Sequence, residues 1–406
     1  MKICFLVADS NGAFPVPAAK GGAVSTLVEQ LIEENSKNKF ADLTVISFYN
    51  NKAKQIAKKY KNVEFIWIKV PNKYKFLDKT LYKMVKKFFK NKKAISYKSI
   101  FSLLFYIKKS SKYLKRKKFD KLILENNIPL VWTIYLSRYS GEFFYHFHNL
   151  PRTTAKAEEI LKKCTGFLCV SDYISKQLIN GNTPLGKIDR NKVHTLYNCV
   201  DTKMFYPMQN RKKYRKEIKG KYKIPVDDKI ILFVGRISPE KGLDIVLDAI
   251  NKMKVSNFKL LIIGSVMHGN NEKDAYFSKL VYNFEKLKDK IIFTGYVSHS
   301  QLPLFYNAAD LVILPSMWEE PAGLTMVESL ACGTQLITTD SGGIPEYVKD
   351  KGIILKRDKD LVEKIAEISD SLLEKTYENK MSNFEYVQKY FSPHNYLKNF
   401  IKILGE

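Results

Sequence analysis

Short apolar runs alternate with stretches of helical period from the first residues onward. Lys2 to Ala8 reads as a buried strand, Ala23 to Asn35 as a helix and Leu43 to Phe48 as a second strand. That is a βαβ unit, which implies a parallel sheet. Between the first strand and helix lies a loop rich in breakers: Gly12, Pro15, Pro17, Gly21 and Gly22. Further strands are predicted at Val63 to Val70, Lys121 to Leu124, Phe143 to Phe147, Phe167 to Val170 and Val193 to Tyr197. Leu77, Leu81, Met84, Val85 and Phe88 recur at helical spacing among lysines, which predicts an amphipathic helix over Phe76 to Lys93.

After Pro207, a Lys/Arg-rich stretch to Pro225 reads as a linker, and a second series begins. Its strands are expected at Ile230 to Val234, Lys259 to Ile263, Ile291 to Thr294, Leu311 to Leu314 and Gln335 to Thr338, with helices between them. The segment Tyr377 to Leu404 is helical and aromatic. The fold class expected is therefore α/β, with two doubly wound Rossmann-like domains, 1–205 and 206–384, facing across a cleft. A C-terminal helix, about 385–406, is a candidate to pack back onto the first domain. In such sheets ligands bind outside the carboxyl ends of the strands.

Composition narrows the class. No apolar run reaches the roughly 18 residues needed to span a bilayer. The apolar start is cut short by Asp9 and Asn11, which suits a strand better than a signal peptide. Five scattered cysteines show no C-x-x-C spacing, so neither a zinc site nor a disulfide framework is expected and the thiols read as reduced. The net charge is +27, and between Asn51 and Asp120 there are 23 Lys or Arg against three acids, about +20 of that total. A polyanionic partner is implied, such as a membrane surface, a phosphorylated lipid or nucleic acid.

Three loops carry candidate chemistry, each directly after a predicted strand. Gly235-Arg236…Glu240-Lys241-Gly242 offers a fork and a point charge to a diphosphate. Pro315 to Glu328 opens a helix, with backbone N–H groups free for an anion and with Glu320 and Glu328 able to accept sugar hydroxyl protons. Thr339-Asp340-Ser341-Gly342-Gly343-Ile344-Pro345-Glu346 is a third strand–turn–helix start. His146 and His148 share one face of a strand by alternation, and His148 lies nearer its carboxyl end. The other histidines, His299 among them, show no constellation. Asp358-Lys359-Asp360 reads as a solvated loop rather than a metal site.

Together these residues resemble the retaining glycosyltransferases of the GT-B fold, family 4. Glu320 and Glu328 match the family's paired glutamates, and Gly235 to Gly242 its basic loop. Gly295-Tyr296-Val297 matches the loop edging the nucleobase, and Gly21-Gly22 the glycine loop near the donor phosphates. Pro321-Ala322 departs from the commoner Gly-Phe and is similar to members that build bacterial lipopolysaccharide or capsule.

The resemblance implies transfer of a hexosyl or N-acetylhexosaminyl group from a nucleotide sugar, a UDP-sugar first, with no metal and no cofactor. The acceptor implied is a glycan or lipid-linked molecule in surface polysaccharide synthesis. Catalytic roles then fall to His148, Glu320, Arg236 and Lys241. Donor binding falls to Gly21, Gly22, Gly235, Arg236, Lys241, Tyr296, Val297, Glu320, Ala322, Gly323, Leu324 and Glu328. The expected location is cytoplasmic, peripheral on the inner face of the cell membrane. Two rivals are a GT-B-type sugar-nucleotide epimerase and a basic nucleic-acid-binding protein. The second lacks any nucleic-acid-binding motif, so no nucleic-acid partner is expected.

Overall fold

The computed structural model describes residues 1–88, 98–264, 275–375 and 381–405. The predicted run 89–93 and the start of the C-terminal segment at Tyr377 lie outside them. Strands follow in the order β1 (Lys2–Val7), β2 (Asp42–Phe48), β3 (Val63–Ile68), β4 (Lys121–Glu125), β5 (Glu142–Phe147), β6 (Gly166–Cys169) and β7 (Val193–Thr195). Then come β8 (Lys229–Val234), β9 (Phe258–Ile263), β10 (Ile291–Gly295), β11 (Leu311–Leu314), β12 (Leu336–Thr339) and β13 (Ile353–Leu355). They form a seven-stranded sheet, β3-β2-β1-β4-β5-β6-β7, and a six-stranded sheet, β10-β9-β8-β11-β12-β13. Every pairing is parallel. Both orders reverse direction once, between β1 and β4 and between β8 and β11. Those are the two switch points where ligands of doubly wound sheets bind.

The chain divides into two units, Met1–Tyr197 with Tyr396–Glu406, and Asn198–Asn395. The break falls at Asn198 rather than at 206, because the backbone is already tied into the second unit there. Asn198 donates its N–H to the Tyr347 hydroxyl at 2.9 Å, and Val200 to the Phe391 carbonyl at 2.9 Å. The segment that rejoins the first unit starts at Tyr396, later than about 385.

In the first unit, Ile3 to Leu6 are fully buried, as expected of a strand covered on both faces. The helix Ala23–Asn38 presents Val24, Leu27, Val28, Leu31 and Ile32 to the core at helical spacing. The helix Pro393–Gly405 buries Tyr396, Leu397, Phe400 and Leu404, and Phe400 stacks on Phe5 with ring centroids 5.7 Å apart.

The basic segment holds two helices, Asn72–Phe88 and Ile100–Leu114. Asp78 is buried and accepts the N–H groups of Phe101 at 2.7 Å and Ser102 at 3.1 Å. This carboxylate satisfies donors that the second helix's first turn would leave open. Of the apolar stripe, Leu77 and Met84 are exposed, with Phe76 beside them, while Leu81 and Val85 are half-buried. The stripe is therefore only partly absorbed by its own domain.

In the second unit, the expected linker contains a helix, Arg211–Lys221. Its charge is structural in part. Arg215 pairs with Asp310 at 2.7 Å, and Arg211 donates to the carbonyls of Asn307 and Ala309 at 2.8 and 2.7 Å. Asp310 in turn accepts the Ile230 N–H at 2.7 Å, which ties the helix to the start of β8.

Candidate functional site

In the second unit, β8 and β11 flank the switch point, and each runs directly into a candidate loop. Gly235 leaves β8 with its N–H on the Ile263 carbonyl at 3.0 Å. Gly242 ends the loop at φ +68°, and a Cβ there would lie 2.1 Å from the Pro315 carbonyl oxygen. Only glycine lets the β8 and β11 loops approach this closely. Gly342 acts likewise: at φ +54°, its Cβ would meet the Glu320 carbonyl oxygen at 2.3 Å. The neighbouring Gly343 N–H reaches that same oxygen at 2.7 Å.

These contacts bring Lys241 to Glu320. The Lys241 ammonium pairs with Glu320 Oε1, which also accepts from Ser316 Oγ at 2.9 Å. Glu320 is buried and Lys241 is mostly covered. Arg236 is different: it is half exposed and meets Glu240 at 3.5 Å, one helical turn away in sequence. The two cations that the sequence treats as a pair thus sit in unlike surroundings. Past the buried Pro321 and the half-buried Ala322, Gly323 caps the helix Leu324–Ala331 without a side-chain hydrogen bond. The helix start therefore keeps its N–H groups for an anion.

Glu328, one turn into that helix, is also buried. Its Oε1 contacts His299 Nε2 at 2.7 Å, and its Oε2 accepts from the Tyr306 hydroxyl at 3.1 Å. His299 thus has the constellation that the sequence did not reveal. Nearby, Tyr296 is 79% exposed and Val297 half-buried after β10, open to a flat ligand. Asp358 pairs with Lys364 at 2.7 Å and accepts the Asp360 N–H at 3.1 Å, so it serves its own loop.

In the first unit, Gly21 and Gly22 lead into the helix Ala23–Asn38 at φ +75° and +99°. A Cβ on Gly22 would strike the Phe14 ring at 2.7 Å, whereas Gly21 faces open space.

At the ends of β4 and β5 lies a buried cluster that sequence reasoning half found. His146 and His148 share one face, with ring centroids 4.0 Å apart, and both meet Glu125. His148 Nε2 is 2.8 Å from Glu125 Oε2 and His146 Nδ1 is 3.1 Å from it, the latter outside hydrogen-bond geometry. Burial would raise the Glu125 pKa, but the two histidines outweigh it and hold the carboxyl down at about 2. Burial, helped by His146, holds the His148 pKa below its ordinary value against the pull of Glu125. Neutral His148 therefore donates through Nε2 and keeps a lone pair on Nδ1.

Glu125, His146 and His148 are also the one group among the described residues whose ligand atoms, within 4.8 Å of one another, could hold a metal ion. The Glu125–His148 spacing is that of a hydrogen bond already made. Asn126 fastens the cluster by accepting the His148 N–H at 3.1 Å and donating its own to the His146 carbonyl at 2.9 Å. The sequence signal for Glu125 was faint: a lone carboxylate ending an apolar strand.

Comparison with known proteins gives a family match for the loops of the second unit. Residues 214–386 match the family model for glycosyl transferases group 1. Spore coat protein SA of Bacillus subtilis is 28% identical over 246 residues, 58% of this chain and 64% of that protein. The lipopolysaccharide 1,2-N-acetylglucosaminetransferase of Salmonella typhimurium is 32% identical over 155 residues, 37% of this chain and 39% of its own length. The matches thus span less than two thirds of these curated relatives.

Among solved structures, a glycosyltransferase from Rickettsia africae covers 99% of this chain and 97% of its own, with a TM-score of 0.72 at 19% identity. Anabaena Alr3699/HepE in complex with UDP and glucose covers 100% and 99%, with a TM-score of 0.71 at 16% identity. These likenesses show the two-sheet GT-B fold. The chain accordingly carries, over residues 214–386, a domain of the glycosyl transferases group 1 family.

Proposed function

We propose that this protein is a retaining glycosyltransferase that moves a sugar from a nucleotide-sugar donor, a UDP-sugar first, to a glycan or lipid-linked acceptor of a bacterial surface polysaccharide. The observation that carries the reading is the Lys241–Glu320 pair, set on the β8 and β11 loops at the second sheet's switch point. A diphosphate there meets a cation and an uncapped helix start, and charge developing on the leaving group is neutralised by side chains and backbone without a metal. Glu320 is assigned to the donor sugar's hydroxyls and Glu328 to the ribose diol. His148, neutral and with Nδ1 free, is the first unit's candidate for the reaction. The UDP and glucose bound to Alr3699/HepE support a nucleotide-sugar donor, and the name of the Salmonella relative supports transfer of a sugar.

A thermal-shift panel of UDP-, dTDP- and GDP-sugars tests the reading, since a ligand bound to the native state alone raises the melting temperature. We expect one nucleotide class to raise it and to be consumed when an acceptor extract is supplied. A chain that no nucleotide sugar stabilises would sink the proposal.

The acceptor side of the proposal is a membrane. Leu77 and Met84 stay exposed on a helix whose lysines include Lys79, Lys83, Lys86 and Lys87. A face of this kind lies in the headgroup layer, each lysine adding about 1 kcal/mol near an anionic surface. The protein should sediment with anionic vesicles at low salt and leave them as salt rises. Equal pelleting with neutral vesicles would remove the electrostatic part.

A further inference from the structure

Glu328 offers about four acceptor positions, two on each oxygen. His299 takes one on Oε1 and Tyr306 one on Oε2. The carboxylate is thereby fixed in rotation, with one lone pair left on each oxygen. That is the pattern a vicinal diol satisfies, one hydroxyl to each oxygen. A glutamate free to turn would lose rotamer entropy on binding, and holding it beforehand avoids that cost.

We propose that His299 is a positioning residue for ribose: it turns the Glu328 carboxylate so that both oxygens face the paired hydroxyls of a ribonucleotide donor. The inference rests on the reading of Glu328 as the ribose-binding group.

The surroundings favour this arrangement. The Phe205 ring lies 5.1 Å from the imidazole at 58°, which limits the ways His299 can turn. His299 is 48% exposed, against 8% for Glu328, so it stands at the edge of the carboxylate. The charged and titratable groups around the pair come from three elements. Glu328 lies on the helix Leu324–Ala331, with Cys332 just beyond it; Tyr306 is on the helix Leu302–Ala308, and Asp201 is on the segment leading to Phe205. Burial pushes the Tyr306 hydroxyl and the Cys332 thiol well up, so both stay protonated. Burial would lower the His299 pKa, but the Glu328 carboxylate, aided by Asp201, raises it. The imidazolium form is therefore complete below the ordinary histidine value, and the pairing weakens as pH rises through the raised one.

The test is calorimetric titration of the full chain with UDP, GDP and their 2′-deoxy counterparts. Wild type should prefer the ribose forms, by less at high pH. His299→Ala should bind the ribose forms about tenfold more weakly, the loss of one charge-assisted contact. It should leave the deoxy forms nearly unchanged, so the preference collapses. His299→Gln, which replaces the Nε2 donor by an amide, should restore part of the preference and remove its pH dependence.

Glu328→Gln separates the two layers of the argument. If it leaves the preference intact, or if no ribonucleoside diphosphate binds, the ribose reading of Glu328 fails and the role of His299 with it. If Glu328→Gln abolishes the preference while His299→Ala keeps it, or binds the ribose forms more tightly, the reading of Glu328 stands. The positioning role of His299 is then overturned.

Discussion

Lys241→Ala should lose donor affinity and turnover far more severely than Arg236→Ala. Both cations lie on the β8 loop, but only Lys241 is locked to a buried carboxylate. Removing it has two effects. The diphosphate loses a charge-assisted contact, about 1.5–3 kcal/mol or roughly 10- to 100-fold in affinity. Glu320 is also left buried with Ser316 as its remaining side-chain partner. A buried charge stripped of its partner costs about 3–5 kcal/mol and relaxes the local geometry. Arg236, half exposed and 3.5 Å from Glu240, contributes mainly through the phosphate itself. Screening by water keeps its loss toward the low end.

Calorimetry with the stabilising nucleoside diphosphate, single-turnover transfer and thermal melting read the three effects apart. In Lys241→Ala all three should move, and in Arg236→Ala only affinity. Equal losses in the two variants would contradict the structural distinction between them. The double variant Lys241→Ala/Glu320→Gln should recover part of the melting temperature, because no unpaired charge then remains.

The second large effect concerns stability toward acid. Glu125 is buried with a carboxyl held at about 2, below its ordinary 4.5. A group whose folded value is depressed stabilises fully above the ordinary value, and that stability is lost as pH falls from about 4.5 toward 2. His148 acts in the same direction from a higher pH. Kept neutral by burial, it takes up a proton more readily in the unfolded chain, so stability begins to fall below about 6.5.

Glu125→Gln should therefore cost about 3 kcal/mol at neutral pH, the low end for breaking a buried pair. Below about 4.5 its stability should decline less steeply than that of wild type, since the titrating carboxyl is gone. The slope due to His148 should persist. Urea unfolding at pH 8, 6 and 4 measures both, and parallel wild-type and variant curves would show that the cluster does not carry the acid sensitivity.

Much of this molecule was legible along the chain. Strand positions were readable because parallel strands covered on both faces are apolar runs, as in Phe5 to Val7 and Ile231 to Phe233. The loops that matter could be placed because glycines, prolines and charged residues interrupt those runs at the strand ends. The resemblance carried by Gly235 to Gly242 and by Glu320 and Glu328 agrees with the family match over 214–386.

What the tertiary structure decided are partnerships between distant residues. Glu125 reaches His146 only because β4 and β5 pair in parallel with those two residues in register, after a crossover no local pattern encodes. His299 meets Glu328, 29 positions away, because its turn leads into the helix Leu302–Ala308, whose Tyr306 reaches the same carboxylate on the helix Leu324–Ala331. The basic stretch after Pro207 read as a linker, and became an anchored helix once Asp310 was brought beside Arg211 and Arg215. Periodicity is a local property and survives in the sequence. The partner of a buried charge is set by strand order and register, and a doubly wound sheet joins residues that the chain keeps far apart.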